Sequence, residues 1–408
     1  MYIKRFLERK IEKYLEVPEI IAITGSRQTG KTTLMNHLQK KSEKSVFISF
    51  EDVDLKNLFD NSVKDFIDIY INPYNIIFID EFHYSNSGGK NLKYIYDSTK
   101  GKKIIISGSS AVELTIKAVK YLVGRIFVFE LYPLSFSEFL NFRDINLYKA
   151  LKKAGKKKQS ISSELNSMLS PYFNQFIKYG GYPRISLCKD DEEKEMVLKN
   201  IYNTYILRDI KDLTEFTNDY KMQKLVRALA LQAGNLISYI ELCNISGLSF
   251  ETLQKYLRLL EKTFIIQLVS PYYKNKRTEI VKNPKVYFID NGLRNCILND
   301  FRDIQLRTDK GIVIENFHFS EIIKKDINVK YWRTKTGSEV DFIIEKNNKL
   351  TAIEVKSLIR SVSLTRPLVH FINKYNPNKI FIFNDLKANI SDNIFFYPHC
   401  MNAVIDYK

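Results

Sequence analysis

Cysteine is scarce in this sequence, and long apolar runs are missing. The four cysteines lie far apart, at Cys188, Cys243, Cys296 and Cys400, with no Cys-x-x-C pair and no metal-ligand spacing. This arrangement argues against a disulfide framework or a zinc site and favours a reduced, intracellular protein. No apolar run approaches the roughly 20 residues that a membrane helix needs. The N-terminal segment MYIKRFLERKIEKYL is charged throughout and lacks the apolar core of a signal peptide, so we expect a cytoplasmic protein without a membrane segment.

The composition that is present indicates a multidomain globular protein. The chain has 408 residues, too many for one ordinary core, so two or three domains are expected. A hydrophobic content of 45% and an aromatic content of 13% exclude a disordered protein. The net charge of +17 favours nucleic acid as a partner, although a composition rich in lysine, isoleucine and asparagine can produce this charge without such a partner.

A glycine-framed loop follows the first apolar run of the chain. The run PEIIAI is typical of a buried strand that ends at Ile23, and a helical pattern begins with KTTLMNHLQKK. Between them, GSRQTGKT fits the phosphate-loop pattern G-x-x-x-x-G-K-[ST] at every fixed position. The glycines let backbone N–H groups converge on phosphate oxygens, and the helix N-terminus adds a positive dipole end.

This motif predicts a binding site for ATP and Mg²⁺. Lys31 is expected to reach the β- and γ-phosphates, and the Thr32 hydroxyl to bind Mg²⁺. The predicted nucleotide-binding residues are Gly25, Ser26, Arg27, Gln28, Thr29, Gly30, Lys31, Thr32 and Thr33.

A second apolar run ends in two acids, as an NTPase site requires. In NIIFIDEFH, four apolar residues are followed by Asp80 and Glu81, and the continuous run suits a parallel strand that is buried on both faces. We predict that Asp80 holds Mg²⁺, directly or through water, and that Glu81 orients and polarises the attacking water. His83 follows closely, and we expect a structural or gating role for it rather than a catalytic one.

A third apolar run, KKIIISGSS, ends in small polar residues. A hydroxyl at the tip of this strand can sense the γ-phosphate, and Ser109 is our first candidate for this role, with Ser110 as the alternative. An ordinary helix N-cap is an equally good explanation, because SSAVELTIKAV has the pattern of a helix start.

Further along, Gly124-Arg125 precedes an apolar strand and the segment ELYPLSFSEFL. Together with the loop, the Asp-Glu strand and the Ser-rich strand, this segment resembles a prokaryotic family of AAA+ ATPases whose C-terminal domain has a poorly defined function. In AAA+ assemblies an arginine is often inserted into the neighbouring subunit's site. The resemblance therefore implies a homo-oligomer, with Arg125 as the first candidate for this arginine finger and Arg208 as the second. For Arg125 the alternative is a structural salt bridge.

Two segments follow the ATPase motifs. The run KALKKAGKKKQSISSELNS has six lysines from Lys149 to Lys158 without an acid, and it indicates a solvated insertion or mobile loop that could also touch phosphates. The aromatic-rich segment PYFNQFIKYGGYPRI resembles the family's helical lid over the nucleotide.

From about Tyr220 the sequence has the pattern of a winged helix. Gly247 separates two short helical patterns, and Ser249 is a good N-cap for the second of them. The β-type run FIIQLVSPYY, the basic segment KNKRTEIVKNPK and the return strand VYFID complete the pattern. A winged helix that serves only protein packing is the alternative. The predicted DNA-binding residues are Gln254, Lys255 and Arg258 on the recognition helix, and Lys274, Lys276 and Arg277 in the wing.

The C-terminal segment carries acids and a lysine on neighbouring strand patterns. Asp341 stands on one strand, and period-two alternation puts Glu354 and Lys356 on one face of the next. Two carboxylates on paired strands can hold Mg²⁺, and a nearby lysine can orient water for phosphodiester attack. This pattern resembles the PD-D/E-x-K fold of restriction endonucleases, whose extra acid matches Glu315, although Val340 replaces the usual proline. A non-catalytic module on the same fold is the alternative.

These patterns predict an α/β protein with three domains. They are an AAA+ P-loop ATPase core with a helical lid over residues 1–215, a winged helix over 216–290 and a PD-D/E-x-K nuclease-like α/β domain over 291–408. The main hypothesis is a Mg²⁺-dependent ATPase that binds double-stranded DNA. The alternatives are an ATP-regulated DNA endonuclease and a signal-transducing NTPase scaffold with protein partners.

Overall fold

A five-stranded parallel sheet forms the core of the N-terminal region. The computed structural model of the protein describes residues 2–108, 121–157, 161–204, 219–357, 363–385 and 393–407. The strands of this sheet are β1 (Ile20–Thr24), β2 (Ser45–Ser49), β3 (Ile76–Asp80), β4 (Lys103–Gly108) and β5 (Ile126–Glu130). Their order is β2-β3-β4-β1-β5, and all neighbours are parallel. Strand β4 therefore separates the strand before the phosphate loop from the strand that ends in the two acids.

Both faces of this sheet are buried, as the continuous apolar runs predict. Side chains of β1 alternate between two clusters, with Ile20 and Ala22 in one and Ile21 and Ile23 in the other. Each cluster packs against helices on its own face of the sheet, which explains why the strands do not alternate between apolar and polar residues. The helices of this region are Phe6–Glu12, Lys31–Lys40, Val53–Asn61, Val63–Phe66 and Gly88–Ser98, with a π-helical turn at Ile67–Ile71 and a 3-10 turn at Phe82–Tyr84.

The chain divides into two units, and their limits differ from the predicted domain boundaries. The first unit comprises Met1–Pro133 with Lys262–Phe264, and the second comprises Leu134–Glu261 with Ile265–Lys408. The predicted lid and the C-terminal region thus share one unit. Contacts far apart in sequence hold it together, since the Phe136 N–H donates to Glu321 Oε1 at 3.0 Å and the Ser137 hydroxyl donates to the Ala403 carbonyl at 3.0 Å. The predicted boundary at residue 215 lies outside the described residues, and residue 290 lies within the second unit.

Helices make up most of the first half of the second unit. The lysine-rich run was expected to form a loop, but it forms the helix Ile145–Lys157, because Leu147, Tyr148 and Leu151 bury its opposite face. The helices of this unit are Phe136–Arg143, Ile145–Lys157, Ser163–Tyr179, Pro183–Leu187, Asp191–Ile201, Asp219–Leu231, Tyr239–Ser246, Phe250–Lys262, Lys276–Val281, Asn291–Leu298, Lys310–Ile323 and Arg366–Tyr375, with 3-10 turns at Ile304–Leu306 and His399–Val404.

The predicted winged-helix segment has the expected helices and strands but a different connection. Gly247 ends one helix in the left-handed conformation, at φ 67°, and the Ser249 hydroxyl accepts the Thr252 N–H at 3.3 Å, as an N-cap does. Strands β6 (Ile266–Val269) and β7 (Lys285–Phe288) pair antiparallel. The residues between them were expected to form an open basic hairpin, but they contain the helix Lys276–Val281, whose first N–H groups are capped by the Asn275 side chain.

A second sheet follows at the C-terminus. Its strands are β8 (Lys330–Arg333), β9 (Glu339–Lys346), β10 (Lys349–Val355), β11 (Lys379–Asn384) and β12 (Ile394–Pro398), in the order β12-β11-β10-β9-β8. The pairs β8–β9 and β9–β10 are antiparallel, whereas β10–β11 and β11–β12 are parallel. One helix precedes the three antiparallel strands and another connects β10 to β11, so the order is helix, three strands, helix, two strands.

Among the residues that the structure describes, no helix combines the length and the hydropathy that crossing a membrane would require.

Candidate functional site

The phosphate loop requires glycine at both of its fixed glycine positions. A Cβ on Gly25 would lie 2.2 Å from the carbonyl oxygen of Leu131, so a larger residue would force the loop away from the sheet edge. Gly30 has φ 91°, in the left-handed region that favours glycine, and it begins the helix Lys31–Lys40. The backbone conformation and close packing of the loop therefore explain why the motif has glycine at positions 25 and 30.

Lys31 is buried and lies against the loop itself. Its ammonium donates to the carbonyl of Gly25 at 3.0 Å and to that of Ser26 at 2.9 Å. Burial lowers the pKa of Lys31 to about 8, although the nearby charges of Glu81 and Asp80 oppose this shift. A buried cation held by two carbonyls inside a ring of backbone N–H groups is suited to an anion.

Two features of the loop were not indicated by the sequence. They are a buried hydroxyl without a hydrogen-bond partner and an arginine that bridges two backbone carbonyls. Within the described residues, the buried Ser26 Oγ has no hydrogen-bond partner, which fits a site that receives an oxygen-rich ligand. Arg5 is 5% exposed and donates to the carbonyl of Thr29 at 2.7 Å and to that of Tyr132 at 2.6 Å. Nothing local distinguishes Arg5 from its charged neighbours, so only its tertiary contacts identify it.

Thr32, Asp80 and Ser107 form a connected polar group at the carboxyl ends of the strands. The Thr32 hydroxyl donates to Asp80 Oδ2 at 2.6 Å, and the Ser107 hydroxyl donates to the other oxygen, Oδ1. A hydroxyl and a carboxylate at one point are the hard oxygen ligands that Mg²⁺ prefers. No cluster of three or more His, Cys, Asp or Glu side chains suited to a metal occurs among the described residues. Mg²⁺ at a nucleotide site needs only one or two protein ligands, because phosphates and water supply the rest.

Glu81 and His83 form a buried pair beside this group. Glu81 has φ 50°, an uncommon conformation for a non-glycine residue, and its Oε2 lies 3.1 Å from Nδ1 of His83. Burial would raise the pKa of Glu81, but the hydrogen bond to His83 and the charge of Lys31 outweigh it, and the pKa is lowered. The carboxylate is therefore ionised at neutral pH, as a water-orienting base must be.

Strand β4 contributes Ser107 to the site, whereas the sequence analysis chose Ser109 and Ser110 as candidates. Its hydroxyl contacts Asp80 and also accepts the backbone N–H of Glu81 at 3.3 Å, so it joins the two acids. Ser109 and Ser110, the predicted sensor residues, lie outside the described residues. Alternation along β4 would have favoured Ser107 as the last strand position on the side of Asp80.

The remaining predicted loop residues occupy different positions. Thr29 is buried and donates its hydroxyl to the Ser26 carbonyl at 2.8 Å, which closes the loop. Arg27, Gln28 and Thr33 are exposed, and Gln28 has φ 61°. Their contact with nucleotide stays a prediction.

Arg125 lies away from the phosphate loop of its own chain. Its carbonyl accepts the N–H of Ile20, the first residue of β1, so it stands at the amino end of the sheet, whereas the loop is at the carboxyl end. Its Nε is 3.3 Å from Asp97 Oδ1, and its guanidinium is 5.9 Å from the centre of the Tyr96 ring. Any catalytic role must therefore be in another copy's site. Arg208, the second candidate, lies outside the described residues.

The predicted DNA-binding residues fall into two groups. On the helix Phe250–Lys262, Lys255 and Arg258 are exposed and Gln254 is half-buried, on the face opposite the buried leucines. In the wing, Lys274 and Arg277 are exposed, and the ammonium of Lys274 lies 5.8 Å from the centre of the Tyr375 ring.

Lys276 differs from the other wing residues because it already has acidic partners. Its ammonium is 2.9 Å from Glu345 Oε2 and 3.5 Å from Glu279 Oε1. The expected free basic wing is thus partly neutralised.

Glu315 pairs with a lysine that the sequence did not single out. Lys285, on β7, is 2% exposed and lies 3.2 Å from Glu315 Oε1, with a second ion pair to Glu339. The Tyr287 hydroxyl donates to the same Glu315 oxygen at 2.6 Å. Burial alone would lower the pKa of Lys285, but the surrounding carboxylates outweigh it and raise that pKa. Glu315 is therefore engaged by a cation of the protein itself.

Asp341, Glu354 and Lys356 come together as the strand pattern predicts. Asp341 Oδ2 accepts the Val355 N–H at 2.7 Å, and the Lys356 ammonium lies 2.7 Å from Glu354 Oε1. Burial, together with the neighbouring acids Glu354 and Glu315, raises the pKa of Asp341 well above its usual value. Burial also raises the pKa of Glu354, against the opposing charge of Lys356. The group is electrostatically strained unless a proton or a cation compensates it.

Three family models match successive segments of the chain. Residues 17–140 match an AAA domain. Residues 170–303 and 310–399 match two domains of unknown function, DUF8612 and DUF4143. The AAA match covers the five-stranded sheet, the phosphate loop and both acids.

The matches to relatives extend beyond this segment of the chain. The uncharacterized protein MJ1544 of Methanocaldococcus jannaschii is 28% identical over 358 residues, which cover 85% of this chain and 76% of that protein. An uncharacterized protein of Haemophilus influenzae is 24% identical over 92% of this chain and 90% of its own. The structure of the Walker-type ATPase PABY2304 of Pyrococcus abyssi is 18% identical and covers 73% of this chain and 96% of that chain, with a TM-score of 0.44.

Proposed function

We propose that the protein is a Mg²⁺-dependent AAA+ ATPase that binds double-stranded DNA and works as a homo-oligomer. The observation that carries the ATPase part is the convergence of Lys31, Thr32, Asp80 and Glu81 at the carboxyl edge of one parallel sheet. These groups supply the three functions that ATP hydrolysis needs, namely a cation for the phosphates, hard oxygen ligands for the metal and an ionised acid for the water.

Each residue has a distinct role in this proposal. The loop N–H groups, Lys31 and the Ser26 hydroxyl bind the phosphates. Thr32 and Asp80 hold Mg²⁺, which neutralises the charge that develops on the transferred phosphoryl group. Glu81 orients the attacking water, and Ser107 keeps Asp80 and the Glu81 backbone in register.

An ATPase assay with and without duplex DNA tests this proposal on the intact chain. Lys31→Ala should lose ATP binding and turnover, because it removes the buried ammonium that is proposed to contact the phosphates. Lys40→Ala is the matched control, since Lys40 is an exposed lysine at the end of the same helix. Wild-type turnover in Lys31→Ala would refute the proposed site.

The DNA-binding part rests on the exposed basic face of the helix Phe250–Lys262. Lys255 and Arg258 lie on this face, and this helix, the second of a helix–turn–helix, precedes the paired strands β6 and β7. Substituting both with Gln should weaken duplex binding and reduce the slope of log K against log salt by about 0.9 for each lost phosphate contact. Charge reversal of Lys274 and Arg277 tests the wing, with Lys276 left intact because it neutralises Glu345.

A metal-dependent nuclease is a second candidate function for the C-terminal region. The supporting observation is that Asp341, Glu354 and Lys356 meet on adjacent strands of a region with the order helix, three strands, helix, two strands. Plasmid nicking with Mn²⁺ by wild type, and its loss in Asp341→Ala and Lys356→Ala but not in Lys349→Ala, would support it. The absence of nicking by wild type on supercoiled, branched and single-stranded substrates, with ATP present, would leave these residues a structural role.

A further inference from the structure

The helix Ile145–Lys157, called here the lysine helix, presents a stripe of lysines along one face. Its lysines lie at positions 149, 152, 153, 156 and 157. This spacing of three and four residues places successive side chains on the same side of an α-helix. Lys152 is half-buried, and the other four lysines are exposed.

The opposite face of the lysine helix is fixed to the second unit. Leu147, Tyr148 and Leu151 are buried on this face. Near the end of the helix, a Cβ on Gly155 would lie 2.7 Å from a methyl group of Val404, so the two backbones approach closely. This packing sets the rotation of the helix, and the lysine stripe must face outward.

Folding alone does not account for this stripe. The helix contains no acidic residue, and none of its lysines forms an ion pair within the ranges that the structure describes; Lys152 lies 5.5 Å from the centre of the Tyr148 ring. Like charges three or four residues apart destabilise a helix by roughly 0.2–0.5 kcal/mol for each pair. The helix dipole favours the lysines of the last turn, Lys156 and Lys157, but gives no such benefit to Lys149, Lys152 and Lys153.

The dimensions and chemistry of the stripe fit a phosphodiester backbone. From Lys149 to Lys157 the helix rises about 12 Å, at 1.5 Å for each residue. Phosphates of one DNA strand are spaced by about 3.4 Å along the duplex axis, so the stripe spans three or four of them. A helix that binds a membrane surface would need a free apolar face to insert, whereas the apolar face here is buried in the protein's own core.

We infer that the lysine helix is a DNA-backbone contact in addition to the helix Phe250–Lys262. It binds phosphates without reading bases, because lysines on a flat helical surface make charge contacts that are independent of sequence. This inference rests on the proposed DNA binding of the chain and adds a residue-level surface to it.

The test compares the salt dependence of duplex binding by full-length variants. A triple variant with Lys149→Gln, Lys152→Gln and Lys153→Gln should lower the slope of log K against log salt by up to about 2.7, at about 0.9 for each contact. The matched control removes three exposed lysines of the first unit, Lys64, Lys93 and Lys100, in the same way and should retain the wild-type slope. Arginine at the three helix positions should retain binding, and the melting temperature of each variant reports its folding.

The outcomes separate this inference from the proposed function. If the glutamine variant of the lysine helix keeps the wild-type slope while Lys255→Gln with Arg258→Gln weakens binding, the lysine helix makes no DNA contact but the proposed function stands. If only the lysine-helix variant weakens binding, the winged helix is not the reader. If the variant loses binding to phosphatidylserine vesicles and keeps duplex binding, the stripe serves a membrane surface and the inference is overturned.

Discussion

Glu81 and Lys31 act at different stages of the proposed reaction, and substitutions should separate them. Glu81→Gln removes the charge that orients water but leaves the loop intact, so the variant should bind ATP and hydrolyse it about 10²- to 10⁴-fold more slowly. Lys31→Ala should lose binding itself. Equilibrium binding of a fluorescent ATP analogue and steady-state turnover distinguish the two, and wild-type turnover by Glu81→Gln would show that another group activates the water.

His83 is expected to position Glu81 rather than to react. Its Nδ1 lies 3.1 Å from Glu81 Oε2, and its ring is buried. His83→Ala should lower kcat by up to about 10²-fold, the cost of a misplaced catalytic group, while KM for ATP stays near wild type. His83→Asn keeps a side-chain donor and should recover part of kcat. A change in KM alone, without an effect on kcat, would contradict the positioning role.

The local part of the site could be predicted from the sequence, and the long-range part could not. The phosphate loop and the acids Asp80 and Glu81 belong to short motifs whose spacing fixes their chemistry. Arg5 and Lys285 became visible only through contacts with carbonyls or carboxylates far away in the chain. A single buried basic residue has no sequence signature, because its burial depends on elements that fold around it.

At the scale of elements, the lysine-rich run shows how charge can conceal a helix. Six lysines without an acid indicate a solvated loop, but Leu147, Tyr148 and Leu151 provide enough apolar surface to dock a helix. The helices Tyr239–Ser246 and Phe250–Lys262 and strands β6 and β7 occur in the predicted order, since they follow periodicity and capping. The helix Lys276–Val281 was missed because an Asn275 cap within a basic run resembles turn chemistry.

Strand β7 depends on Lys285 for its place beside the C-terminal sheet. Lys285→Met would leave Glu315, Glu339 and Asp341 without their shared cation, so the free energy of unfolding should fall by about 3–5 kcal/mol at neutral pH. Lys285→Met with Glu315→Gln should recover part of this loss. Urea denaturation measures both, and an unchanged midpoint in the single variant would show that the acids are compensated elsewhere.

The pH dependence of this effect has a definite sign. The pKa of Asp341 is raised in the folded protein, so the folded state holds a proton that the unfolded chain releases near the ordinary value of about 3.9. Stability therefore falls as pH rises through the interval above that value. Removing Lys285 raises the pKa of Asp341 further and should enlarge the fall of the free energy of unfolding as pH rises.

At the scale of the whole molecule, Arg125 can act only between copies of the chain. Arg125→Ala should leave ATP affinity nearly unchanged and lower turnover by about 10³-fold or more if it is an arginine finger. Added Lys31→Ala subunits, which carry an intact Arg125, should partly restore turnover. Asp97→Ala is the matched control, because it breaks the ion pair but keeps the arginine. Equal losses in Arg125→Ala and Asp97→Ala would indicate a structural salt bridge.

The division into units was less predictable than the motifs. Domain limits near residues 215 and 290 were predicted from changes in the hydrophobic periodicity of the sequence. The division into two units near Pro133 instead reflects packing between segments that are far apart in the chain. Phe136 shows the reason, since it reads as part of the ATPase segment but donates its N–H to Glu321. Sequence patterns identify elements, and only the shared core decides which elements belong together.

The short segment Lys262–Phe264 belongs to the first unit, although the residues on either side of it in the sequence belong to the second. Phe264 lies between the helix that carries Lys255 and strand β6, yet it belongs to the first unit, where its ring is 5.6 Å from that of Tyr132. Its φ of 59° is rare for a bulky residue. Arg5 ties the Tyr132 carbonyl to Thr29 of the phosphate loop. Arg5, Tyr132 and Phe264 therefore form a series of contacts within the first unit that joins the phosphate loop to the residues directly after the helix Phe250–Lys262.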